Sequence, residues 1–175
     1  MFKSNGLILY KLEKDDLPDL WNLKQESWDT THNVTIVNQE DQHRWYSSLD
    51  QHVHSPLNLV LIAKLQDDTK IGIFKITNID YISHISNVAW DVFEKYRRKG
   101  YGKKLVEAGS EFCFSILNLR RLTAEILSIN YPSKKCAQAA RYTHEGTKRQ
   151  LVHKNGKFFD SEIWGVLKDE FRVSI

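Results

Sequence analysis

The feature that most constrains the fold is a mid-chain junction between a strand-like run and a helix-like run. Residues 85–93, ISNVAWDVF, have the β-branched and aromatic content of a strand. The second run carries an apolar stripe at helical spacing, formed by Leu105, Val106, Gly109, Phe112, Cys113, Ile116 and Leu117. Between them lies FEKYRRKGYGKK, with two glycines and six basic residues. A strand that leads directly into a helix is typical of a sheet with helices packed on it.

The chemistry of this junction is suited to an anion. The first amides of a helix have no partner within the helix, and the helix dipole favours negative charge there. Glycine allows the backbone to approach a ligand closely, and arginine can bind a phosphate with two parallel hydrogen bonds. The sequence therefore predicts a phosphate or pyrophosphate site formed by Arg97, Arg98, Lys99, Gly100, Tyr101, Gly102 and Lys103. Taken alone, the stretch is equally compatible with a solvated basic turn.

Two common phosphate-binding motifs are excluded at this junction. The pattern GxxxxGK[ST] is absent, so the loop is not a P-loop. A dinucleotide fingerprint needs a third glycine and an acidic residue further on, and neither follows at the expected distance. The residues instead read R-x-x-G-x-G, from Arg97 to Gly102.

Periodicity and turn signals outline the rest of the chain as β-α-α-β-β-β-α-β-α-β-β. The elements before the junction are a strand at 6–12, helices at 15–28 and 38–49, and strands at 57–65, 69–77 and 85–93. The elements after it are the helix described above, a strand at 121–127, a helix from about 133 to 141 and a hairpin around Asn155-Gly156. This order predicts an α/β (α+β) domain with a mixed sheet of about seven strands and helices on both faces.

Length and composition restrict the remaining possibilities. A chain of 175 residues fits one domain, 1–175. The net charge of +3 is too small for a general nucleic-acid surface, so an anion site must be local. Two cysteines form no disulfide framework and no metal-ligand spacing is present, so no metal is expected. With no apolar run long enough for a membrane span and no signal-peptide pattern, we expect a cytoplasmic location and no membrane partner.

Several segments together resemble one enzyme family. The R-x-x-G-x-G loop is similar to the acetyl-CoA pyrophosphate loop of the Gcn5-related N-acetyltransferases (GNAT). Downstream, N-x-x-S at Asn130 and Ser133, THEGTKR at 143–149 and the closing hairpin NGKFFDSEIWGVL resemble further motifs of that family. The early segment VNQEDQHRWYSSL at 37–49 and KIGIFKITNID are similar to the RimJ/RimL-type and amino-sugar acetyltransferases. The resemblance runs from about residue 36 to residue 170.

The resemblance implies direct acyl transfer from acetyl-CoA to a primary amine. The acceptor is expected to be an amino sugar, typically nucleotide-linked, or a protein N-terminal amine, with a small amine such as a polyamine as a third option. A backbone N–H at Val92 or Phe93 is expected to bind the thioester oxygen, and Asn130 the pantetheine arm. The family also implies a homodimer. The alternatives are a degenerate or non-enzymatic CoA-binding module, or a module that binds nucleic-acid phosphates through the Arg97–Lys104 patch.

The proton-transfer residues depart from the family pattern. Ala137 occupies the place of the usual tyrosine, so the resemblance to RimL-like members points to Ser133 as the acid; a helix N-cap is its structural alternative. Asn87 occupies the place of the usual glutamate, which leaves Asp91 or Glu162 as the base, or water alone. Arg141 replaces the glycine that normally ends the preceding helix, so the turn there is expected to differ.

Four residues are expected to contact the acceptor amine. His43 and Trp45 lie on the second helix, which borders the acceptor pocket in the resembled family. His43 could bind substrate or accept a proton, and a surface or packing role is its alternative. Asn87 on the fourth strand and Asp160 on the last hairpin complete the set, and Asp160 could also orient Glu162.

Overall fold

The computed structural model of the protein describes residues 1–30, 38–49 and 57–171, except for the side chain of Trp28. The strands are β1 (Phe2–Ser4), β2 (Leu7–Lys11), β3 (Leu59–Lys64), β4 (Lys70–Asp80), β5 (Ile85–Val92), β6 (Arg121–Leu127), β7 (Thr143–Lys154) and β8 (Lys157–Leu167). The helices are α1 (Leu17–Glu26), α2 (Gln39–Ser48), α3 (Tyr101–Ser115) and α4 (Tyr131–Ala139).

The described strands form a single sheet in the order β1-β2-β3-β4-β5-β6-β8-β7. All neighbours are antiparallel except β5 and β6, which are parallel. The predicted mixed sheet is confirmed, with eight strands rather than about seven. The additional strand is β1, which forms a hairpin with β2 through Asn5 and Gly6, both at positive φ. The same Asn-Gly pair marks the predicted hairpin at Asn155-Gly156, so the signal for β1 was present in the sequence.

Helices pack on both faces of the sheet, as expected. On one face, which we call the α3 face, α3 and α4 bury Leu105, Val106 and Ala137 against strand residues such as Phe74. On the other face, the α1 face, Leu20 and Leu23 of α1 pack against Val60, Ile62 and Ile73. Gly109 allows close packing in the first layer, because a Cβ there would lie 2.4 Å from the Phe74 ring.

The parallel pair β5 and β6 separates part-way along its length. Pairing is limited to Ile85, Ser86 and Asn87 of β5 with residues 121–123 of β6. Beyond these residues β5 stays paired with β4, and β6 stays paired with β8. The sheet therefore opens into a cleft between the ends of two parallel strands, beside the start of α3.

The helix α4 begins two residues earlier than predicted. Asn130 is its N-cap, and the Asn130 side chain accepts a hydrogen bond from the Ser133 N–H at 3.2 Å. The turn that ends α4 was expected to differ because Arg141 stands where glycine is usual. Arg141 nevertheless adopts the left-handed conformation that glycine normally provides, at φ 67°. The N–H of Tyr142 binds the Ala137 carbonyl and the N–H of Arg141 binds the Gln138 carbonyl, which is a Schellman motif. The expectation of a different turn is therefore wrong.

Candidate active site

The opening between β5 and β6 is a cleft of about 730 Å³. Its walls are residues 88–92 of β5 and 124–127 of β6, and the first turns of α3 and α4 border it. Asn130 and Thr30 lie at the same cleft, where the Asn130 amide donates to the Thr30 carbonyl at 3.2 Å. The cleft thus joins the predicted anion loop to the predicted N-x-x-S motif.

The N-terminus of α3 presents unpaired amides to this cleft. Gly100 is the N-cap at φ 82°, and it provides no side chain to cap the helix. The first backbone bond into the helix runs from the Lys104 N–H to the Gly100 carbonyl. The preceding amides of Tyr101, Gly102 and Lys103 therefore have no partner within the helix, and no acidic residue occupies the first turn. This is the geometry that favours an anion.

Gly102 has a packing role that the sequence did not show. A Cβ at Gly102 would lie 2.7 Å from the Sγ of Cys136 in α4. Since Gly102 and Cys136 both line the cleft, the glycine keeps α3 and α4 close together at the predicted phosphate site. At Gly100 a Cβ would meet open space, so the positive φ is the reason for glycine there.

Arg97 points into the protein. Its Nε donates to the Val92 carbonyl at 2.8 Å, and one terminal nitrogen donates to Ser27 Oγ at 2.8 Å. The same nitrogen lies 3.4 Å from an Asp91 carboxylate oxygen. The guanidinium therefore connects the end of β5 to the end of α1, and this use competes with the predicted contact to a phosphate.

The other basic residues of the junction face outward. Arg98 is exposed, at φ 61°, and lines the cleft together with Lys103. Lys103 Nζ lies 3.3 Å from Glu107, a buried carboxylate that also accepts a hydrogen bond from Asn5. Lys99 is exposed, 5.7 Å from the Tyr96 ring. Arg98, which is exposed and lines the cleft, is therefore the junction side chain best placed for an external anion, and Lys99 is exposed next to it in the chain.

Backbone donors on β5 also face the cleft. Phe93 donates its N–H to the Ile71 carbonyl at 3.0 Å, so that amide belongs to the β4–β5 pairing and is not available as a thioester donor. Because N–H directions alternate along a strand, the amides of Trp90 and Val92 point away from β4 toward the opening. Of the two predicted donors, Val92 is the one that the register directs into the cleft.

The start of α4 brings Ser133 and Cys136 to the cleft but not Ala137. Ser133 is half-buried, and its hydroxyl has no hydrogen-bond partner among the described residues. Asn130, not Ser133, caps the helix, so the serine hydroxyl is left available. Ala137 is fully buried in the core, where its carbonyl accepts from Tyr142.

A scan against protein-family models matches residues 6–143 to the acetyltransferase (GNAT) domain. This chain belongs to the GNAT family. It is an acetyl-CoA-dependent N-acetyltransferase, and its mixed α/β fold is that of the family.

Curated relatives and solved structures agree with this assignment. The chain is 24% identical over 168 residues to the uncharacterized N-acetyltransferase p20 of Bacillus licheniformis, covering 94% of each chain. It is 25% identical over 113 residues to the SPbeta prophage-derived uncharacterized N-acetyltransferase YokL of Bacillus subtilis, covering 65% of this chain and 64% of YokL. It superposes on spermidine N-acetyltransferase from Vibrio cholerae, solved in complex with CoA and spermine, with a TM-score of 0.86 at 18% identity over 95% and 98% of the two chains.

The residues of this acetyltransferase fit acetyl-CoA. The uncapped α3 amides suit a pyrophosphate, and the strand register directs the Trp90 and Val92 amides away from β4 and toward the cleft, where Asp91 also faces the Val92 N–H. The indole N–H of Trp90 is also buried without a partner among the described residues. No described helix has the length and apolar character to cross a bilayer, and no described cluster of side chains could hold a metal ion.

Asp91 lies at the inner end of the acetyltransferase cleft. Burial raises the pKa of its carboxyl, while the Ser27 hydroxyl, Arg97, Lys75 and the Val92 N–H oppose the rise by favouring the charged form. Strand alternation places Asp91, Ala89 and Asn87 together on the α1 face, as predicted. Asn87 is exposed there.

Glu162 and Asp160 are held elsewhere. Glu162 pairs across the sheet with Ile126 and therefore lies on the α3 face, opposite to Asp91. Its oxygens accept from Lys134 at 2.8 Å and from the Trp164 indole at 3.1 Å. Asp160 accepts from the Gln150 N–H in the bulge of β7. The structure does not bring these two carboxylates together with Asp91.

The two predicted acceptor residues of α2 diverge. His43 is exposed and lines a separate cleft of about 450 Å³ between α1 and α2. Trp45 is half-buried and packs against the α1-face core, with Lys24 Nζ 4.9 Å from the centre of its ring.

The sequence reasoning missed two lysines of the α1 face, Lys24 and Lys75. Burial lowers the pKa of Lys75, which Asp91 partly opposes. Burial and the nearby Lys75 lower the pKa of Lys24 to about 8. A signal for Lys75 was present, because it interrupts the apolar run of β4, IGIFKIT.

Proposed function

We propose that this enzyme acetylates a small primary amine by direct attack within the cleft between β5 and β6. The observation that carries the proposal is the separation of this parallel pair beside an uncapped helix N-terminus. The two features together give a channel with backbone donors along its wall and an anion site at its end. Acetyl-CoA, when bound, supplies the acetyl group as a thioester that the amine attacks, with the thiolate as leaving group.

The α3 amides, Arg98 and Lys99 are proposed to bind the diphosphate of the cofactor. Asn130 holds the segment at Thr30 beside the start of α4 and so orders the cleft wall. The Val92 N–H is proposed as the donor to the oxygen on which negative charge develops, because it is the predicted donor that faces the opening. Arg97 supports this donor by holding the Val92 carbonyl.

Ser133 is proposed as the proton donor to the leaving sulfur. It lines the cleft, and its hydroxyl is not used to cap α4. The alternative donor on the same helix is Cys136, whose Sγ occupies the space beside Gly102 between α3 and α4. Asp91 is proposed as the carboxylate that receives the proton of the amine, since its raised pKa brings it nearer to that role.

The acceptor is proposed to be a small amine. Spermidine N(1)-acetyltransferase of Vibrio cholerae, 20% identical over 172 residues, acts on a polyamine by its name. The amino-sugar and N-terminal acceptors expected from the sequence have no counterpart among these relatives, nor has the RimJ/RimL subgroup. A homodimer, a cytoplasmic location and the lack of a nucleic-acid partner stay predictions.

A thiol-release assay with acetyl-CoA and a panel of amines tests the function. We expect thiol release that depends on an amine, and loss of most turnover in Ser133→Ala with CoA affinity retained. Lys64→Gln, a half-buried lysine paired with Asp68 away from the cleft, is the control and should keep wild-type turnover. CoA binding without amine-dependent release from any panel member would favour the degenerate CoA-binding module instead.

A further inference from the structure

The serine that follows α1 makes a side-chain contact that the helix itself does not need. Ser27 is the C-cap residue of α1, and its backbone N–H binds the Leu23 carbonyl at 3.1 Å. Its hydroxyl takes no part in the helix and instead accepts a hydrogen bond from Arg97 at 2.8 Å. Only 2% of Ser27 is exposed. Because a buried hydroxyl has no water to bind, its partners must come from the protein.

The hydroxyl of Ser27 contacts both members of the ion pair between Arg97 and Asp91. The Arg97 nitrogen that donates to Ser27 Oγ also lies 3.4 Å from an Asp91 carboxylate oxygen. The Nε of Arg97 is fixed separately by the Val92 carbonyl at 2.8 Å. Since the serine oxygen accepts from Arg97, its own proton is free to be donated, and the Asp91 carboxylate accepts it.

Asp91 connects this buried cluster to the cleft. It lines the cleft, and 23% of its side chain is exposed, so an amine in the cleft can reach the carboxylate. A carboxylate that accepts a proton must be held in a defined orientation, which hydrogen bonds from groups behind it provide. Arg97 and Ser27 are donors of this kind, one from the end of β5 and one from the end of α1.

We propose, building on the acetyltransferase function above, that Ser27 is a positioning residue that orients the Asp91 carboxylate toward the acceptor amine. As the amine nitrogen bonds to the thioester carbon, its proton passes to a carboxylate oxygen of Asp91. Ser27 does not touch the substrate and acts through Asp91 alone. Its hydrogen bond favours the ionised carboxylate, which is the form that can accept a proton.

The charged groups near Asp91 stay the same in a Ser27 variant. Arg97 and Lys75 of β4 favour the ionised form of Asp91, and burial opposes them. Lys24 of α1 acts on Lys75, and Glu125 of β6 lines the opposite wall of the cleft. The guanidinium of Arg97 also keeps its place through its Nε. A change in the titration of Asp91 therefore reports the loss of the serine hydroxyl.

Ser27→Ala tests the proposal, with Ser110→Ala as the matched control. Ser110 is also a buried serine, but its hydroxyl bonds to the Tyr142 hydroxyl at 2.8 Å, within the core of the α3 face. Carbon-13 NMR of the aspartate carboxyl groups follows Asp91 against pH, and Asp91→Asn assigns its signal. In Ser27→Ala we expect the titration midpoint of Asp91 to rise by about one pH unit, because a hydrogen bond to the charged form is lost. Ser27→Thr, which keeps the hydroxyl, and Ser110→Ala should keep the wild-type midpoint.

The pH profile of kcat provides a second measurement, at saturating acetyl-CoA and with the fastest amine of the thiol-release panel, which includes spermidine. The acid limb should move with the Asp91 midpoint in Ser27→Ala, and the titration of the amine itself is common to all variants. An unchanged midpoint would overturn the proposal and leave the acetyltransferase function intact. A moved midpoint with an unmoved acid limb would also overturn it, because Asp91 would then not be the base. No amine-dependent thiol release by the wild type would instead remove the function itself.

Discussion

At the scale of single residues, Arg97 has a structural role although its charge suggests a role in anion binding. Arg97 belongs to a basic loop, yet it connects β5 to Ser27 and Asp91. Its donors meet the neighbouring Val92 carbonyl and Asp91 carboxylate and, from 70 residues away in the chain, the Ser27 hydroxyl. An arginine with those partners contributes mainly to the shape of the cleft end.

Arg97→Met is expected to destabilise the fold by about 1–3 kcal/mol, because it leaves the Val92 carbonyl and Asp91 without their donor. Lys99→Met, an exposed change in the same loop, should leave stability unchanged and weaken CoA binding about two- to tenfold. Urea denaturation and calorimetry on both variants separate the two roles. Equal stability of Arg97→Met and wild type would show that the arginine has no structural role.

Lys24 gives a pH-dependent prediction. Its folded pKa of about 8 lies below its ordinary value of 10.5, so protonation of the folded protein is penalised. Lys24 therefore lowers the free energy of unfolding least above its unfolded pKa of 10.5. Its destabilising effect grows as the pH falls from 10.5 through about 8. Lys24→Met should be more stable than wild type near pH 7, with the difference shrinking toward pH 10.5. A pH-independent difference in the free energy of unfolding would contradict this.

At the scale of elements, the starts and ends of two helices define the cleft. α3 starts at a left-handed glycine and α4 at an asparagine cap, and both starts face the same opening. Gly102 sets the distance between them because Cys136 occupies the space that a side chain would need. The proposed anion site therefore depends on helix–helix packing as well as on loop sequence.

Gly102→Leu is expected to abolish CoA binding, since the side chain must displace Cys136 and separate α3 from α4. Gly146→Leu is the matched control, because a Cβ at Gly146 meets nothing within 4 Å. Calorimetry with CoA, combined with thermal denaturation, shows whether binding is lost in a folded protein. Unchanged CoA affinity in Gly102→Leu would contradict the placement of the diphosphate.

The end of α4 offers a stabilising change. Arg141 holds the left-handed position of a Schellman motif, where a Cβ is unfavourable. Arg141→Gly should raise the free energy of unfolding by about 0.5–1 kcal/mol. Ala139→Gly, two residues earlier in the helix, should lower it by a similar amount. A loss of stability in both variants would show that the Arg141 side chain makes contacts that outweigh its backbone strain.

At the scale of the whole molecule, the sheet consists of two halves joined by a short parallel pairing. Among the described strands, β1–β5 form one half and β6–β8 the other, and the strand pairing between them is confined to residues 85–87 and 121–123. A ligand that lies between β5 and β6 would bridge the halves. Binding is then expected to stabilise the whole domain.

Saturation with CoA at about 100 times its Kd should raise the free energy of unfolding by about 2.7 kcal/mol. Hydrogen exchange should slow most at the Trp90 and Val92 amides, which face the cleft, and less at the Phe93 amide, which already binds Ile71. Mass spectrometry or NMR with and without CoA makes the comparison. Equal protection of the three amides would argue against a ligand along β5.

Local pattern in the sequence determined much of this protein. Alternation, helical periodicity and turn chemistry predicted the order of its main elements, and the glycine-containing junction predicted where β5 leads into α3. These features depend on neighbours along the chain, as helix starts and tight turns do. The short β1 was missed although Asn5-Gly6 carries the same turn signal.

Only the tertiary structure decided which side chains meet. It turned Arg97 inward and placed Glu162 on the opposite face of the sheet from Asp91. Those outcomes depend on strand register and on how α1 and α2 cover the sheet, since a shift of one residue exchanges the two faces of a strand. Contacts between residues distant in the chain are set by that register and packing, and the sequence of any one segment does not contain them.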